Sequence, residues 1–236
     1  MATTLICLPF AGAGASFFRG WRAAAPSGLN VLPVQLPGRE ERIAEDAHRD
    51  VGKAVDEVCE QLLREIDGEQ QVAVFGHSLG AVLAYELAHR FTSSDGPQIV
   101  HLFASGSPAP ENGREQHATG LSDEEFVAQV ARFAGYSHPA LDNDDMRSVL
   151  LPTLRADVEM HETYRPGSDA KLTIPVTTVR GQDDELVDAS ETAAWAGTTT
   201  GRFSSLELTG GHMYLVDQVR PLLRGIAGQL QKTGLG

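Results

Sequence analysis

Ser78 is the residue of this chain best placed for covalent chemistry, because it stands between two glycines in Gly76-His-Ser-Leu-Gly80. An apolar run over residues 72–75 precedes this segment, and a run of small, helix-forming residues over 81–89 follows it. The order predicts a strand, a sharp turn with the serine at its apex, and a helix. The glycines let strand and helix approach each other closely, and the helix N-terminus would stabilise an oxyanion beside the serine. The pattern therefore favours a nucleophile over an ordinary Gly-Ser loop at a strand end.

A serine hydroxyl needs a base within hydrogen-bond distance and an acid that orients this base. His212 follows the last predicted strand, and Asp183 and Asp184 follow the strand before it. This order of serine, acid and histidine is the one found in α/β-hydrolases, where G-x-S-x-G forms the nucleophile elbow. We favour Asp184, because it is the fourth residue of a Gly-x-x-Asp-x-x-Val segment that starts at Gly181. Asp183 is the alternative, and one of the two is expected to be a solvated turn residue.

The other histidines are weaker candidates for the base. His77 lies in the serine turn, with its side chain expected to point elsewhere. The remaining ones lie on predicted helices or away from strand ends: His48, His89, His101, His117, His138 and His161. The sequence has no His-x-x-x-His spacing, so a zinc hydrolase is disfavoured. We expect neither a metal nor a cofactor.

The elements that would position these residues alternate along the chain. Apolar runs predict strands, and amphipathic or small-residue runs predict helices between them. The predicted strands cover about 5–8, 31–36, 72–75, 99–104, 172–179 and 203–208. The predicted helices lie near 17–21, 48–66, 81–89, 189–196 and 216–230. This alternation indicates the α/β class, with a mostly parallel sheet flanked by helices on both faces.

The alternation stops between residues 109 and 165. Ser122-Asp-Glu-Glu125 is a capping box that opens a helix ended by Gly135. A second helical stretch is expected from about Asp142, and Pro152 should start or kink a third. These pieces predict a helical insertion without a strand.

Two units follow from this interruption. The α/β core is expected to comprise residues 1–108 and 166–236, and the insertion residues 109–165. Over a hydrolase site such an insertion would be a lid. The alternative is a helical subdomain that does not move.

A glycine turn, Gly12-Ala-Gly14, follows the first predicted strand. A dinucleotide-binding loop would need a third glycine where Phe17 stands, and an acidic residue near Leu32, so this interpretation is rejected. In α/β-hydrolases the turn after this strand supplies one oxyanion N–H, and the residue after the nucleophile, here Leu79, supplies the other.

Composition limits the possible partners. The chain has 236 residues, 42% of them hydrophobic, and a formal net charge of -13, which is unfavourable for nucleic-acid binding. No apolar stretch is long enough for a membrane helix, and the N-terminal region lacks the basic residues of a signal peptide. The two cysteines, Cys7 and Cys59, have no metal or redox spacing, so we interpret them as packing residues in a reducing cytoplasm.

Motifs spread along the chain are more specific than the serine turn alone. They are Leu8-Pro-Phe-Ala-Gly12, Leu36-Pro-Gly-Arg-Glu-Glu-Arg42, Gly76-His-Ser-Leu-Gly-Ala81, Leu121-Ser-Asp-Glu-Glu-Phe126, Leu151-Pro-Thr-Leu-Arg-Ala-Asp157, Glu162-Thr-Tyr164 and Gly210-Gly-His-Met213. Together they resemble a type II thioesterase, the stand-alone editing enzyme of polyketide and non-ribosomal peptide synthesis. The resemblance runs nearly end to end and includes the insertion.

The resemblance implies a Ser-His-Asp triad. Ser78 would be the nucleophile, His212 the base and then the acid, and Asp184 the residue that orients His212. The substrate would be an acyl group held as a thioester on the phosphopantetheine arm of an acyl or peptidyl carrier domain. The enzyme would form an acyl-serine ester and then hydrolyse it, without a cofactor, and we expect it to be a monomer.

The resemblance also implies the oxyanion donors, the backbone N–H groups of Leu79 and Phe10, with Ala11 as an alternative to Phe10. Many members have methionine where Leu79 stands, and Gly-Gly where this chain has Gly-Ala-Gly. Because Leu79 would contribute only its N–H group, the first difference should not affect the mechanism.

Carrier domains of such synthases are usually acidic, and this chain is acidic too. Docking should therefore need a local basic patch. Arg19, Arg22, Arg39 and Arg42 follow strand ends, on the side where an α/β site opens, and are the candidates. The alternative is that they only balance neighbouring acidic residues: Glu40, Glu41 and Glu45.

Three other functions remain open at this point. A small-ester carboxylesterase or lipase would use the same triad. A loading or macrocyclising thioesterase is disfavoured, because such domains normally follow a carrier domain in one chain. An inactive hydrolase fold used for binding is disfavoured by the complete set of triad residues in order.

Overall fold

The computed structural model describes residues 2–66, 70–92, 96–113, 117–135 and 139–232. Its centre is a six-stranded sheet in the order β2-β1-β3-β4-β5-β6, in which all neighbouring strands are parallel. The strands are β1 (Thr3–Leu8), β2 (Leu29–Pro33), β3 (Gln71–His77), β4 (Gln98–Ser105), β5 (Val176–Gly181) and β6 (Phe203–Leu208). Because they are parallel, their carboxyl ends meet at one edge, and the loops that carry the candidate residues leave from this edge.

Helices cover both faces of the sheet. They are α1 (Arg19–Ala24), α2 (Val51–Glu65), α3 (Leu79–Thr92), α4 (Asp123–Ala134), α5 (Asp144–Thr163), α6 (Ala189–Ala193) and α7 (Val219–Lys232). Buried side chains of α2 and α3 form one core with the sheet, and those of α7 form a second core with Phe18 and Trp21. The predicted α/β architecture with a mostly parallel sheet is confirmed.

Two strands differ by three or four residues from one end of their predicted ranges, and a proline lies at each of these ends. β2 ends at Pro33, although the apolar run continues to residue 36. β5 begins only at Val176, because Pro175 has no N–H for a ladder hydrogen bond. Upstream of this proline, Leu172 forms only an isolated bridge with Thr199.

The segment between β4 and β5 contains helices and no strand among its described residues. The capping box of Ser122 and the end of α4 at Gly135 are as predicted. The prediction that Pro152 starts a third helix is wrong, because α5 continues through this proline. Leu151, Leu154 and Val158 of α5 pack in a third buried cluster with Phe126, and this packing compensates for the lost hydrogen bond.

Two observations concern the remaining predictions. Among the helices in the described part of the chain, none has both the length and the apolar character needed to cross a membrane. His138, one of the weaker base candidates, lies outside the described residues.

Candidate functional site

Ser78 forms the turn between β3 and α3. Its φ of 54° is in the left-handed region, which costs a residue with a side chain about 1–3 kcal/mol. A Cβ at Gly76 would lie 1.8 Å from the carbonyl oxygen of Gly80, so only glycine permits this turn. The Ser78 N–H donates to the Ser105 carbonyl at 2.8 Å, which fixes the turn to the end of β4. The backbone therefore has the sharp strand-to-helix geometry of a nucleophile elbow.

Gly80 brings the start of α3 against the segment that follows β1. A Cβ at Gly80 would lie 2.5 Å from the Leu8 carbonyl oxygen and 2.9 Å from that of Pro9. The two backbone segments that carry the N–H groups of Leu79 and Phe10 are consequently packed side by side. The N-terminus of α3 adds a partial positive charge at this position.

His212 and Asp184 form a buried pair at the ends of β6 and β5. The His212 Nδ1 lies 2.9 Å from the Asp184 Oδ2. The other carboxylate oxygen, Oδ1, accepts the N–H groups of Leu186 and Val187 at 2.9 and 3.1 Å. These contacts fix the carboxylate, and the carboxylate in turn orients the imidazole.

The pKa of Asp184 lies below its usual value. Burial alone would raise this pKa, but the hydrogen bond and the charge of His212 lower it, and so do the N–H groups of Leu186 and Val187. Asp184 is therefore a carboxylate at neutral pH and can stabilise an imidazolium at His212.

The loops after β5 and β6 pack closely against each other. Their arrangement shows which of the two aspartates is the partner of His212. A Cβ at Gly181 would lie 2.2 Å from the carbonyl oxygens of both Gly210 and Gly211. The Asp183 N–H donates to the Gly210 carbonyl at 3.0 Å, while its side chain is exposed. Asp184 is buried and is the partner of His212.

His77 has a place in the site that its sequence position did not predict. Its ring packs against the ring of His212, with 4.7 Å between the ring centroids. Its Nδ1 lies 2.8 Å from the Ser105 hydroxyl oxygen, which lies 2.6 Å from the Tyr214 hydroxyl. A Cβ at Gly106 would lie 2.4 Å from Cε1 of His77 and 3.1 Å from Cε1 of His212. Gly106 therefore makes room for both imidazoles, and no motif in the sequence indicates this.

A cleft of about 1160 Å³ opens beside His212, which is the one member of the predicted triad in its described lining. Its lining combines His212 and charged residues, among them Asp183, Glu185 and Arg132, with apolar side chains from the core and from α4. The apolar ones are Phe10, Phe17, Phe133, Leu186, Met213 and Val216. The cleft can hold an apolar chain beside His212.

The four arginines of the predicted docking patch lie in different environments. Arg19 and Arg22 are exposed on α1. Arg42 pairs with Glu45 and Glu57, and its hydrogen bond to Glu45 raises the pKa of its guanidinium above the usual value.

Arg39 is buried and is bound at two points by the Asp157 carboxylate. The prediction that Arg39 belongs to an exposed patch is therefore wrong. Two arginines not considered from the sequence, Arg220 and Arg224, are exposed on α7 and line an open depression together with Gly20 of α1.

Known proteins resemble this chain over nearly its whole length. The family described as "Thioesterase domain" matches residues 3–230. Thioesterase PikA5 of Streptomyces venezuelae is 34% identical over 235 residues, which are 98% of this chain and 82% of that protein. Gramicidin S biosynthesis protein GrsT of Aneurinibacillus migulanus is 33% identical, over 96% of this chain and 88% of that protein. The solved structure of BorB, the type II thioesterase from the borrelidin biosynthetic cluster, is 37% identical with a TM-score of 0.87, over 98% and 93% of the two chains.

Proposed function

This chain belongs to the thioesterase family, and we propose that it is a stand-alone type II thioesterase that removes acyl groups from the phosphopantetheine thiols of carrier domains. Its relatives PikA5 and BorB are named as a thioesterase and a type II thioesterase, and they match this chain along almost its whole length. The reaction is hydrolysis of a thioester to a carboxylic acid and a thiol.

The mechanism has two displacements at the acyl carbon. The Ser78 hydroxyl oxygen attacks the thioester carbonyl while His212 accepts the hydroxyl proton. The N–H groups of Leu79 and Phe10 stabilise the tetrahedral oxyanion. The intermediate collapses with loss of the pantetheine thiolate, which takes the proton from the His212 imidazolium, and leaves an ester on Ser78 and a neutral His212.

Hydrolysis of this ester repeats the same steps with water as the nucleophile. His212 takes a proton from the water as the water oxygen attacks the ester carbonyl, and then gives a proton to the departing Ser78 oxygen. Throughout, Asp184 remains a carboxylate and holds the imidazole in one orientation. The products are the free acid and the regenerated enzyme.

The observation that carries this proposal is the buried hydrogen bond between His212 and Asp184, next to the strained turn of Ser78. The lowered pKa of Asp184 supports its role as an anion that stabilises the imidazolium. The packing of His212 against His77, the neighbour of Ser78 in the chain, supports the role of His212 as the base.

Residues 109–165 would act as the lid of this site. Phe133 of α4 lines the cleft, so a displacement of this helix would change access to His212. Phe126 and Phe133 of α4 pack in a cluster outside the two cores of the sheet. Asp157 and Met160, in contrast, attach α5 to the α/β core, so α4 would be the part of the insertion that moves.

The partner is an acyl or peptidyl carrier domain, and its docking would use the exposed arginines of α1. Reversing the charges of Arg19 and Arg22 to glutamate should raise KM for carrier-bound acyl groups and leave KM for free acyl-pantetheine unchanged. An unchanged KM on the carrier substrate would exclude these residues from docking.

We further propose that the protein is a monomer and that it acts in the cytoplasm. The two cysteines, which are not joined in a disulfide, are consistent with this reducing compartment.

The competing function is a small-ester carboxylesterase, which would have the same triad. Kinetics on matched substrates, one acyl chain as a pantetheine thioester and as a simple alkyl ester, separate the two functions. The proposal predicts a higher kcat/KM on the thioester, and a further increase when the thioester is presented on a carrier domain. A higher kcat/KM on the simple ester would reverse the assignment.

A further inference from the structure

The buried ion pair between Arg39 and Asp157 connects three parts of the chain. Arg39 follows β2, and Asp157 lies in the middle of α5, 118 residues later. The two guanidinium Nη atoms contact the two carboxylate oxygens at 2.7 and 2.8 Å. Both side chains are buried, with 6% and 0% of their surface exposed.

The third part is the turn after β1 that carries Phe10. Its Gly12 N–H donates to Oδ2 of Asp157 at 2.8 Å, and Nη1 of Arg39 donates to the Ala13 carbonyl at 3.0 Å. The ion pair therefore holds two consecutive residues of this turn. Asp157 binds the N–H group of Gly12, and Arg39 binds the carbonyl group of Ala13.

The turn has little freedom between this attachment and Phe10. The Ala13 N–H donates to the Phe10 carbonyl at 3.0 Å and closes the turn. Gly12 has a φ of 78°, and a Cβ there would lie 3.0 Å from Cδ1 of Leu154, which is also on α5. A shift of the Asp157 carboxylate would therefore be passed to the peptide groups around Phe10.

We propose that Arg39 and Asp157 are positioning residues, which fix the turn of Phe10 so that its N–H is directed at the developing oxyanion. The inference rests on the proposed function, in which Phe10 supplies this N–H. It also makes α5 a support of the catalytic site in addition to its role in the insertion. A guanidinium suits this task because it stays protonated and binds a carboxylate in a fixed bidentate geometry.

Glu162 provides a matched control. It is a second buried carboxylate on α5, and it accepts the N–H groups of Ala118 at 2.6 Å and Thr119 at 3.0 Å. Its contacts are within the segment between β4 and β5 and do not include the turn of Phe10. A purely structural role of Asp157 would make the two replacements equivalent.

The test compares Asp157→Asn with Glu162→Gln by active-site titration, thioester kinetics and inhibitor binding. For Asp157→Asn we expect kcat per titrated site to fall about tenfold to a thousandfold. The upper limit is the loss that removal of a whole oxyanion donor causes, about 10³-fold. KM should change by less than about twofold, because the substrate carbonyl binds the donors more weakly than the oxyanion does. Affinity for an acyl boronate, which forms an anionic adduct at the serine, should fall by the same factor as kcat.

Glu162→Gln is expected to lower Tm while kcat per titrated site stays within about twofold of wild type. Arg39→Lys, which keeps the charge and loses the bidentate contact, should show a smaller loss of kcat than Asp157→Asn, and it replaces that variant if the latter does not fold. Wild-type kcat and boronate affinity in the folded Arg39 or Asp157 variant, or an equal loss in Glu162→Gln, would overturn the inference. Failure of the wild-type protein to hydrolyse thioesters would instead overturn the proposed function.

Discussion

Two buried carboxylates with charged or chargeable partners lie on different sides of the candidate site. Asp184 binds His212 at the ends of β5 and β6, and Asp157 binds Arg39 between α5 and the end of β2. Both carboxylate side chains are fully buried, and both also accept backbone N–H groups.

The partners differ in what they can do with a proton. An imidazole that makes one contact through Nδ1 keeps its second nitrogen for proton transfer at neutral pH. A guanidinium stays charged and here directs both of its Nη atoms at one carboxylate. The His212–Asp184 pair is therefore suited to move a proton, and the Arg39–Asp157 pair to hold the backbone in place.

Replacing Asp184 by asparagine should have the largest effect on catalysis among the changes to these pairs. The amide cannot stabilise an imidazolium and favours the wrong tautomer of His212, so kcat should fall by up to roughly 10⁴-fold, by analogy with serine proteases. Steady-state kinetics on an acyl-pantetheine substrate measures this loss. The exposed neighbour provides the control, and Asp183→Asn should keep nearly full activity. A severe loss in Asp183→Asn with an active Asp184→Asn would reverse the assignment of the acid.

Gly106→Ala should produce an intermediate loss without removing any polar group. The new methyl would lie 2.4 Å from Cε1 of His77 and push both imidazoles away from their positions. Because a displacement of about 1 Å can cost about 10²-fold, kcat should fall by about tenfold to a hundredfold.

Gly113→Ala is the control for backbone strain at this kind of position. Gly113 also has a positive φ, of 65°, but a Cβ there meets no atom within 4 Å. Its kcat should remain near that of wild type. Equal kcat values for the two alanine variants would contradict the packing role of Gly106.

The pH dependence of stability extends the comparison to His101, a buried histidine. Its ring contacts a hydroxyl group, whereas the ring of His212 contacts a carboxylate. Its Nε2 lies 2.8 Å from the Thr177 hydroxyl oxygen, and burial lowers its pKa to about 4. The unfolded chain, with a histidine pKa near 6.5, binds this proton first as the pH falls. The free energy of unfolding should therefore decrease by up to about 3 kcal/mol between pH 6.5 and 4.

The same denaturation series on His101→Gln measures this contribution by difference. The variant should lose less stability than wild type over the same pH range. Its kcat should not change, because His101 contacts Thr177 and Phe103 and is not part of the described cleft lining. Parallel stability curves for the two proteins would show that His101 does not titrate in this way.

The sequence predicted those parts of the fold and site that depend on local patterns. The alternation of apolar runs gave the order of strands and helices, and residues that follow the carboxyl ends of parallel strands could be expected to meet. Asp184 and His212 were found in this way. The Ser122 capping box and Gly135 likewise marked the ends of α4.

The remaining features depend on contacts between distant parts of the chain. From the sequence alone, Arg39 is expected to be a surface charge, because its partner is 118 residues away. Only the structure shows that it is buried against Asp157. Pro152 is expected to be a helix boundary, because a proline inside a helix removes a hydrogen bond. The packing that offsets this loss involves residues of other elements and cannot be seen in the local sequence. The place of His77 beside His212 depends on how β3 and the loop after β6 meet, which no local pattern records.

Trapping the covalent intermediate on Ser78 tests the proposed mechanism without relying on any other residue. A carrier domain loaded with an acyl group is mixed with the protein, quenched with acid during turnover, and the protein is digested and analysed by mass spectrometry. An added acyl mass is expected on the wild-type peptide that contains Ser78. In Ser78→Ala this added mass should be absent, and turnover should fall roughly 10⁴-fold or more. Hydrolysis at the wild-type rate by Ser78→Ala, or an acyl group on a different residue, would contradict the proposed mechanism.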